Sequence, residues 1–189
     1  APARREPTPA PADLPECWSA AEYAGPVREA ILAYKERGQT ALAHPLATAL
    51  AFTATHALAS RPPAPVVVVP VPSAARAGRA RGHDPVGGLA ALTVRLLAAQ
   101  GHRAELWPAL TLSRRVADQA GLNATQRAAN LAAGHQVRPG AKPRPALPVL
   151  LLDDLVTTGS TLAGAARTLR SHGAVVLYAV TVAATRRRS

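Results

Sequence analysis

The sequence predicts an α/β fold: a twisted, mostly parallel sheet flanked by helices, with a small helical N-terminal part. Three observations carry that expectation. Residues 66–69 and 149–152 are uninterrupted aliphatic runs, and 175–182 is nearly so. Such runs read as strands buried on both faces, as in a parallel sheet covered by helices. Segments of helical character separate the runs, which is what parallel neighbours need for their crossovers. From Leu162 onward the apolar residues fall at 162, 165, 166 and 169, one face of a helix. A chain of 189 residues is the size of one domain and can bury most of its apolar surface in a single core. Hydrophobic residues make up 48% but aromatics only 3%, so that core has to be built from Val, Leu and Ala.

The elements follow in order. Residues 1–25, rich in Pro and Ala up to Pro15, are expected to be disordered, because such a segment buries too little apolar surface to offset its chain entropy. The domain proper is expected over 26–189, with N-terminal helices in 26–60 and a core over 64–184. Pro26 suits a first helical turn, Val27, Ala30, Ile31 and Tyr34 line one face, and Gly38 ends the helix. Lys35 reads as a solvated charge on that helix in preference to a ligand-binding residue, the other reading its position allows. A second helix is expected from 41 or 45 to 60, broken by Arg61-Pro62-Pro63. Strand 66–69 runs into Pro70-Val71-Pro72-Ser73 and then a basic loop with Arg76, Arg79 and Arg81. Asp84 and Pro85 form an N-cap and first-turn pair for a helix that turns Val86, Leu89, Ala90, Leu96 and Leu97 inward and stops at Gly101. A short strand is expected within 105–112, a polar loop at 113–123, a helix at 125–133, a short strand at 134–137 and a proline-rich connector at 139–148. After the helix that begins near Leu162, Gly173 is a natural stop before strand 175–182.

The chemistry is concentrated in 149–162. The aliphatic strand is closed by Asp153 and Asp154, followed by Thr157, Thr158, Gly159, Ser160 and Thr161, and then the helix. Where a helix begins beyond the carboxyl end of a parallel strand, its free N–H groups and dipole attract an anion. The hydroxyls add donors. Gly159 lets the backbone approach the anion and adopt positive φ. Two carboxylates beside an anion site would repel a bare phosphate, but they suit a ligand that also carries a sugar whose vicinal hydroxyls donate to them. A sugar 5-phosphate meets both demands. A nucleotide P-loop would need a lysine directly after its last glycine, where this chain has Ser160. A buried strand with an incidental cluster of capping residues would account for the hydrophobics and hydroxyls, but not for two adjacent acids.

This stretch of hydrophobic run, Asp-Asp, two residues, Thr, Thr, Gly, one residue and Thr resembles the phosphoribosyl pyrophosphate signature of the type I phosphoribosyltransferases. From about Val27 to Ala184 the chain resembles the ComF family, competence-associated proteins built on that fold. The resemblance implies a type I phosphoribosyltransferase-like fold. It implies that Asp153, Asp154, Thr157, Thr158, Gly159, Ser160 and Thr161 bind phosphoribosyl pyrophosphate, with the two aspartates as the catalytic pair. Ser73 and Arg76 would grip the pyrophosphate from the loop after the first core strand. Arg114 and Arg115 would reach it from a lid over 113–123 that excludes water from a cationic sugar. Magnesium would arrive on the substrate's diphosphate, with no metal site of the protein's own. The stretch Tyr34-Lys35-Glu36-Arg37-Gly38 resembles the family's basic segment ahead of the core. Two departures stand out. The family commonly carries a four-cysteine zinc-binding region, and this chain has only Cys17; relatives commonly have Phe-Asn-Gln where this chain has His83-Asp84-Pro85.

Two functions are therefore expected in parallel. One is phosphoribosyl transfer to a nitrogen nucleophile with release of pyrophosphate. The other is a non-catalytic accessory role in DNA uptake during transformation, binding single-stranded DNA or a competence helicase. The charge bears on the second: the net charge is +11, and over 61–144 twelve basic residues face only Asp84, Glu105 and Asp118. Such a field attracts polyanions. Trp107 is the only aromatic there, too few for a base-stacking platform. One cysteine excludes internal disulfides. No stretch reads as a membrane span or signal peptide, so the expected location is cytoplasmic, and a second copy of the chain, in a homodimer, is among the expected partners.

Overall fold

The structure, a computed structural model, describes residues 1–72, 84–113, 134–141 and 147–185. In chain order its elements are β1 (Ala3–Arg4), β2 (Glu16–Glu22), α1 (Gly25–Glu36), α2 (Ala43–Leu58), β3 (Val66–Pro70), α3 (Pro85–Ala99), β4 (Ala104–Leu106), β5 (Leu110–Leu112), β6 (His135–Val137), β7 (Pro148–Val156), α4 (Ser160–Ser171) and β8 (Val175–Ala184). A six-stranded sheet has the order β1-β2-β8-β7-β3-β4, and β5 and β6 form a separate antiparallel pair. Within the large sheet every pairing is parallel except that of β1 with β2. The chain is thus α/β, with a mostly parallel mixed sheet flanked by helices.

The aliphatic runs form the strands for the reason expected. Val67, Val69, Val149 and Leu151 point to the side covered by α4. Val66, Val68, Leu150 and Leu152 point to the side covered by α1, α2 and α3. Alternate residues of each strand thus enter opposite cores, and an unbroken apolar run fills both. The α4 residues foreseen as its inner face, Leu162, Ala165, Ala166 and Leu169, are all buried. At the head of α3, Asp84 Oδ1 accepts from Gly87 N at 3.0 Å, the expected cap, and Pro85 takes the first turn.

Two expectations are corrected. Residues 1–25 are not disordered throughout, because Glu16–Glu22 is a strand of the main sheet, pairing with β8 from Glu16↔Tyr178 to Glu22↔Ala184. Its inward residues are Cys17 and Ser19, and Ser19 Oγ meets Thr181 Oγ1 at 2.6 Å, so a polar pair takes the place of the apolar alternation that marks most strands. The second correction concerns β7, which does not close at the acids but runs through both of them to Val156. The ladder to β8 persists there, with Asp153↔Thr181 and Val156↔Ala184. The helix at 125–133 and most of the polar loop at 113–123 lie outside the described residues.

The strand order fixes where a ligand site belongs. From β3 the chain crosses to β4 on one side, and from β7 it crosses to β8 on the other. The crevice between β3 and β7 is therefore a topological switch point, the place where parallel sheets bind ligands at their carboxyl ends. Among the described residues no helix is long and apolar enough to cross a membrane.

Candidate functional site

The carboxyl ends of β3 and β7 meet where Val71 N donates to Leu152 O at 2.9 Å. One residue further along β7 come the acids, both buried, with Asp153 9% and Asp154 3% exposed. Asp154 extends the Leu150 and Leu152 row toward α1, where its Oδ2 lies 2.7 Å from Lys35 Nζ. Asp153 Oδ1 accepts from the backbone N of Asp154 at 2.8 Å. Burial, and then the adjacent Asp154 charge, push the Asp153 carboxyl well above the ordinary carboxylate value. Lys35 is raised as well, which for an ammonium favours the charged form. Burial alone would lower its ammonium, but Asp154, then Asp153 and the hydrogen bond to Asp154, outweigh that loss and leave it above its ordinary value. Two adjacent strand-end carboxyl groups and one helix ammonium thus form a cluster in which Lys35 compensates Asp154 while Asp153 is pushed toward its neutral form.

Lys35 is the residue that sequence reasoning missed. It reads as a solvated helix charge, but only 26% of its side chain is exposed and it ends on Asp154. The signal lay in its position at the C-terminal turn of α1, one residue after the buried Tyr34. Tyr34 Oη donates to Pro85 O at 3.0 Å, which ties α1 to the head of α3. Burial, followed by the charges of Asp84 and Asp154, raises the Tyr34 phenol above its usual value and keeps it a donor.

Beyond the acids the chain turns sharply. Gly159 has φ 76°, the left-handed region that its lack of a side chain permits, and it is the N-cap of α4. Thr157 and Thr158 are exposed, Ser160 and Thr161 half-buried. Thr158 Oγ1 donates to Ser160 Oγ at 3.1 Å. Ser160 N donates to Thr158 Oγ1 at 3.4 Å. Thr157, Thr158 and Ser160, but not Thr161, line one side of a cleft of about 1100 Å³. Neither aspartate lines that cleft. The close approach expected at Gly159 also has a different occupant: a Cβ there would lie 3.0 Å from Leu14 and 3.2 Å from Pro7, so the N-terminal segment packs on it.

The remaining predicted residues, Ser73, Arg76, Arg114 and Arg115, lie outside the described residues, as do Arg79 and Arg81. The connection from β3 that carries Ser73 and Arg76 does leave from beside Leu152, next to the acids. Trp107, the aromatic of the basic half, is 8% exposed in the core and presents no face to a nucleobase. Cys17 is buried, its Sγ donates to Pro15 O at 3.2 Å, and burial with the Glu16 and Glu6 charges pushes its thiol up to about 12. Such a thiol is inert at neutral pH. Among the described residues no group of three or more His, Cys, Asp or Glu side chains could hold a metal ion. No family model matches the chain, and no curated protein matches it.

Proposed function

We propose that the chain is a phosphoribosyltransferase-like protein that binds phosphoribosyl pyrophosphate, on the finer fold of the type I phosphoribosyltransferases. The observation that carries this reading is the pair of adjacent buried carboxylates at the switch-point end of β7, followed within a few residues by a hydroxyl-rich turn at a helix N-terminus. Asp153 and Asp154 accept hydrogen bonds from the ribose hydroxyls. Thr157, Thr158, Ser160 and Thr161, with the amides from Gly159 onward, take the 5-phosphate. Ser73, Arg76, Arg114 and Arg115 serve the pyrophosphate, and magnesium enters with the substrate on its diphosphate. In transfer, the lone pair of an acceptor nitrogen forms a bond to the anomeric carbon, the bond from that carbon to the diphosphate oxygen breaks, magnesium pyrophosphate leaves and the nitrogen loses its proton. The carboxylates stabilise the positive charge that develops on the ring.

A second reading, a ComF-like accessory factor in DNA uptake without turnover, is favoured by the Lys35–Asp154 ion pair. An ammonium 2.7 Å from the carboxylate offsets the negative charge that would stabilise a cationic sugar. That arrangement suits retention of a ligand better than its reaction. The net charge of +11 suits a polyanionic partner such as single-stranded DNA. The cytoplasmic location, the helicase partner and a homodimer belong to the same proposal.

Calorimetric titration of magnesium phosphoribosyl pyrophosphate into the wild type and Asp154→Asn tests the first reading. Binding that is lost in the variant supports it, and no binding to the wild type removes it. Turnover with a panel of nitrogen acceptors then separates enzyme from sensor. Single-strand affinity with a steep salt dependence supports the accessory role, whereas affinity no greater than that of an unrelated basic protein opposes it.

A further inference from the structure

The two acids of β7 have different surroundings. A strand turns successive side chains to opposite faces, and β7 continues through both acids to Val156. Asp153 therefore follows the Val149 and Leu151 row toward α4, while Asp154 follows Leu150 and Leu152 toward α1. On the α1 face Lys35 Nζ stands 2.7 Å from Asp154 Oδ2.

Asp153 meets hydroxyls instead. Beside it in register are Thr181 of β8 and, one strand further, Ser19 of β2, both buried. Thr181 Oγ1 donates to Ala183 O at 3.1 Å, so in the 2.6 Å contact between the two hydroxyls Ser19 is the donor. Neither proton of that row is left for the Asp153 carboxyl. From α4, which covers this face, Leu162, Ala165, Ala166 and Leu169 are buried, whereas Arg167 and Arg170 are exposed and engage Asp13 of the N-terminal segment. Among the described residues the other titratable groups acting on this corner are Tyr34, Asp84 at the head of α3, and Tyr23, and none is a cation. The cation that acts on Asp153 is again Lys35, from across the strand.

We infer that Lys35 is a positioning residue of the ligand site: it fixes Asp154 as the standing carboxylate of the pair and leaves the exchangeable proton to Asp153. A vicinal diol that donates to both acids then enters with loss of that proton to solvent. The inference rests on the phosphosugar reading above. Burial, and then the Asp154 charge, raise the Asp153 carboxyl. Below the raised value it is protonated, and the diol selects the ionised form. Affinity therefore rises with pH through that value, by up to about ten-fold per pH unit for one proton.

Two measurements on the full chain test this. The first needs no ligand: carbon-13 NMR follows the two carboxyl carbons through a pH titration, assigned with Asp153→Asn and Asp154→Asn. The wild-type protonation step is expected on Asp153. Lys35→Met is expected to move it to higher pH and spread it over both carboxyls, and Lys35→Arg to leave it in place. Arg28→Gln, which removes an exposed charge from the same helix, is expected to change nothing. A wild-type step carried by Asp154, or a step that stays put and unshared in a Lys35→Met protein folded by circular dichroism, overturns the role of Lys35. The second measurement is calorimetry of ribose 5-phosphate in buffers of different ionisation enthalpy, which counts protons released. 2-Deoxyribose 5-phosphate, with the same phosphate and one hydroxyl fewer, subtracts the phosphate's own ionisation. Release of up to one more proton with ribose 5-phosphate is expected below the Asp153 step. Equal release with both probes overturns the coupling and leaves the phosphosugar reading standing. No binding of ribose 5-phosphate at any pH overturns that reading and the coupling together, and the ligand-free titration still decides what Lys35 does.

Discussion

At the centre of the sheet β3 and β7 lie side by side, paired from Val67↔Val149 to Pro70↔Leu152. Each carries four consecutive aliphatic residues that are at most 3% exposed. Their interiors are interchangeable in kind, and they part only at their carboxyl ends. The end of β3 passes into Pro70 and Val71, which leaves the core apolar. The end of β7 carries two buried acids and keeps its ladder to β8 beyond them. Strand formation needs only the apolar run; whatever chemistry the molecule performs depends on what is tolerated just past it. The acids weaken local stability, since burying carboxylates is unfavourable, and the Lys35 pairing offsets only part of that loss.

Five substitutions would break or sharpen this contrast. The largest expected effect lies in the shared interior: Leu151→Ala, at a fully buried position, should cost about 2–5 kcal/mol in chemical denaturation while leaving any ligand affinity unchanged. A cost well below that range would mean the interior of β7 is not packed as described. Asp154→Asn should cost about 2 kcal/mol, less than a fully buried pair, because Lys35 keeps 26% of its side chain in solvent. Adding Lys35→Met should recover part of that stability but none of the ligand binding, and additive losses in the double variant would argue against a coupled pair. Gly159→Ala forces a side chain into φ 76° and against Leu14 at 3.0 Å, for about 1–2 kcal/mol. Its sharper readout is faster proteolysis of the N-terminal segment.

The smallest effect concerns Asp153. Its carboxyl is raised in the folded state, so between its ordinary value of 3.8 and the raised one the folded chain binds more protons than the unfolded chain. Stability contributed by the protonated form is therefore lost as pH rises through that window. Asp153→Asn keeps an oxygen for the backbone N of Asp154 and removes the charge. Its melting temperature should exceed that of the wild type at neutral pH, with the gap closing toward pH 3.8. An equal gap at both ends of the range would sink the assignment.

The sequence announced what depends on local pattern. The strands of β3 and β7, the Asp84 cap, the buried face of α4 and the positive φ of Gly159 all follow from a few neighbouring residues. What stayed hidden depends on partners far away in the chain. β2 has Cys17 and Ser19 facing inward, small side chains that become strand material only because β8 presents Thr181 opposite Ser19. Lys35 looks like any helix lysine until α1 is laid against the end of β7. The N-terminal wall of the cleft was illegible for the same reason, since proline and alanine give no periodic signal and the segment is positioned by Gly159, Arg167 and Arg170.

The placement of β8 between β2 and β7 also has a temporal consequence. Ser19 and Thr181 are 162 residues apart, yet they sit on adjacent strands. Contacts this distant in sequence form late and slow the search for the native state. During synthesis β2 emerges long before the strand it needs, with only the two residues of β1 along its other side. Until β8 follows, an edge is open to wrong pairings, and a growing chain of this topology is a natural client for chaperones.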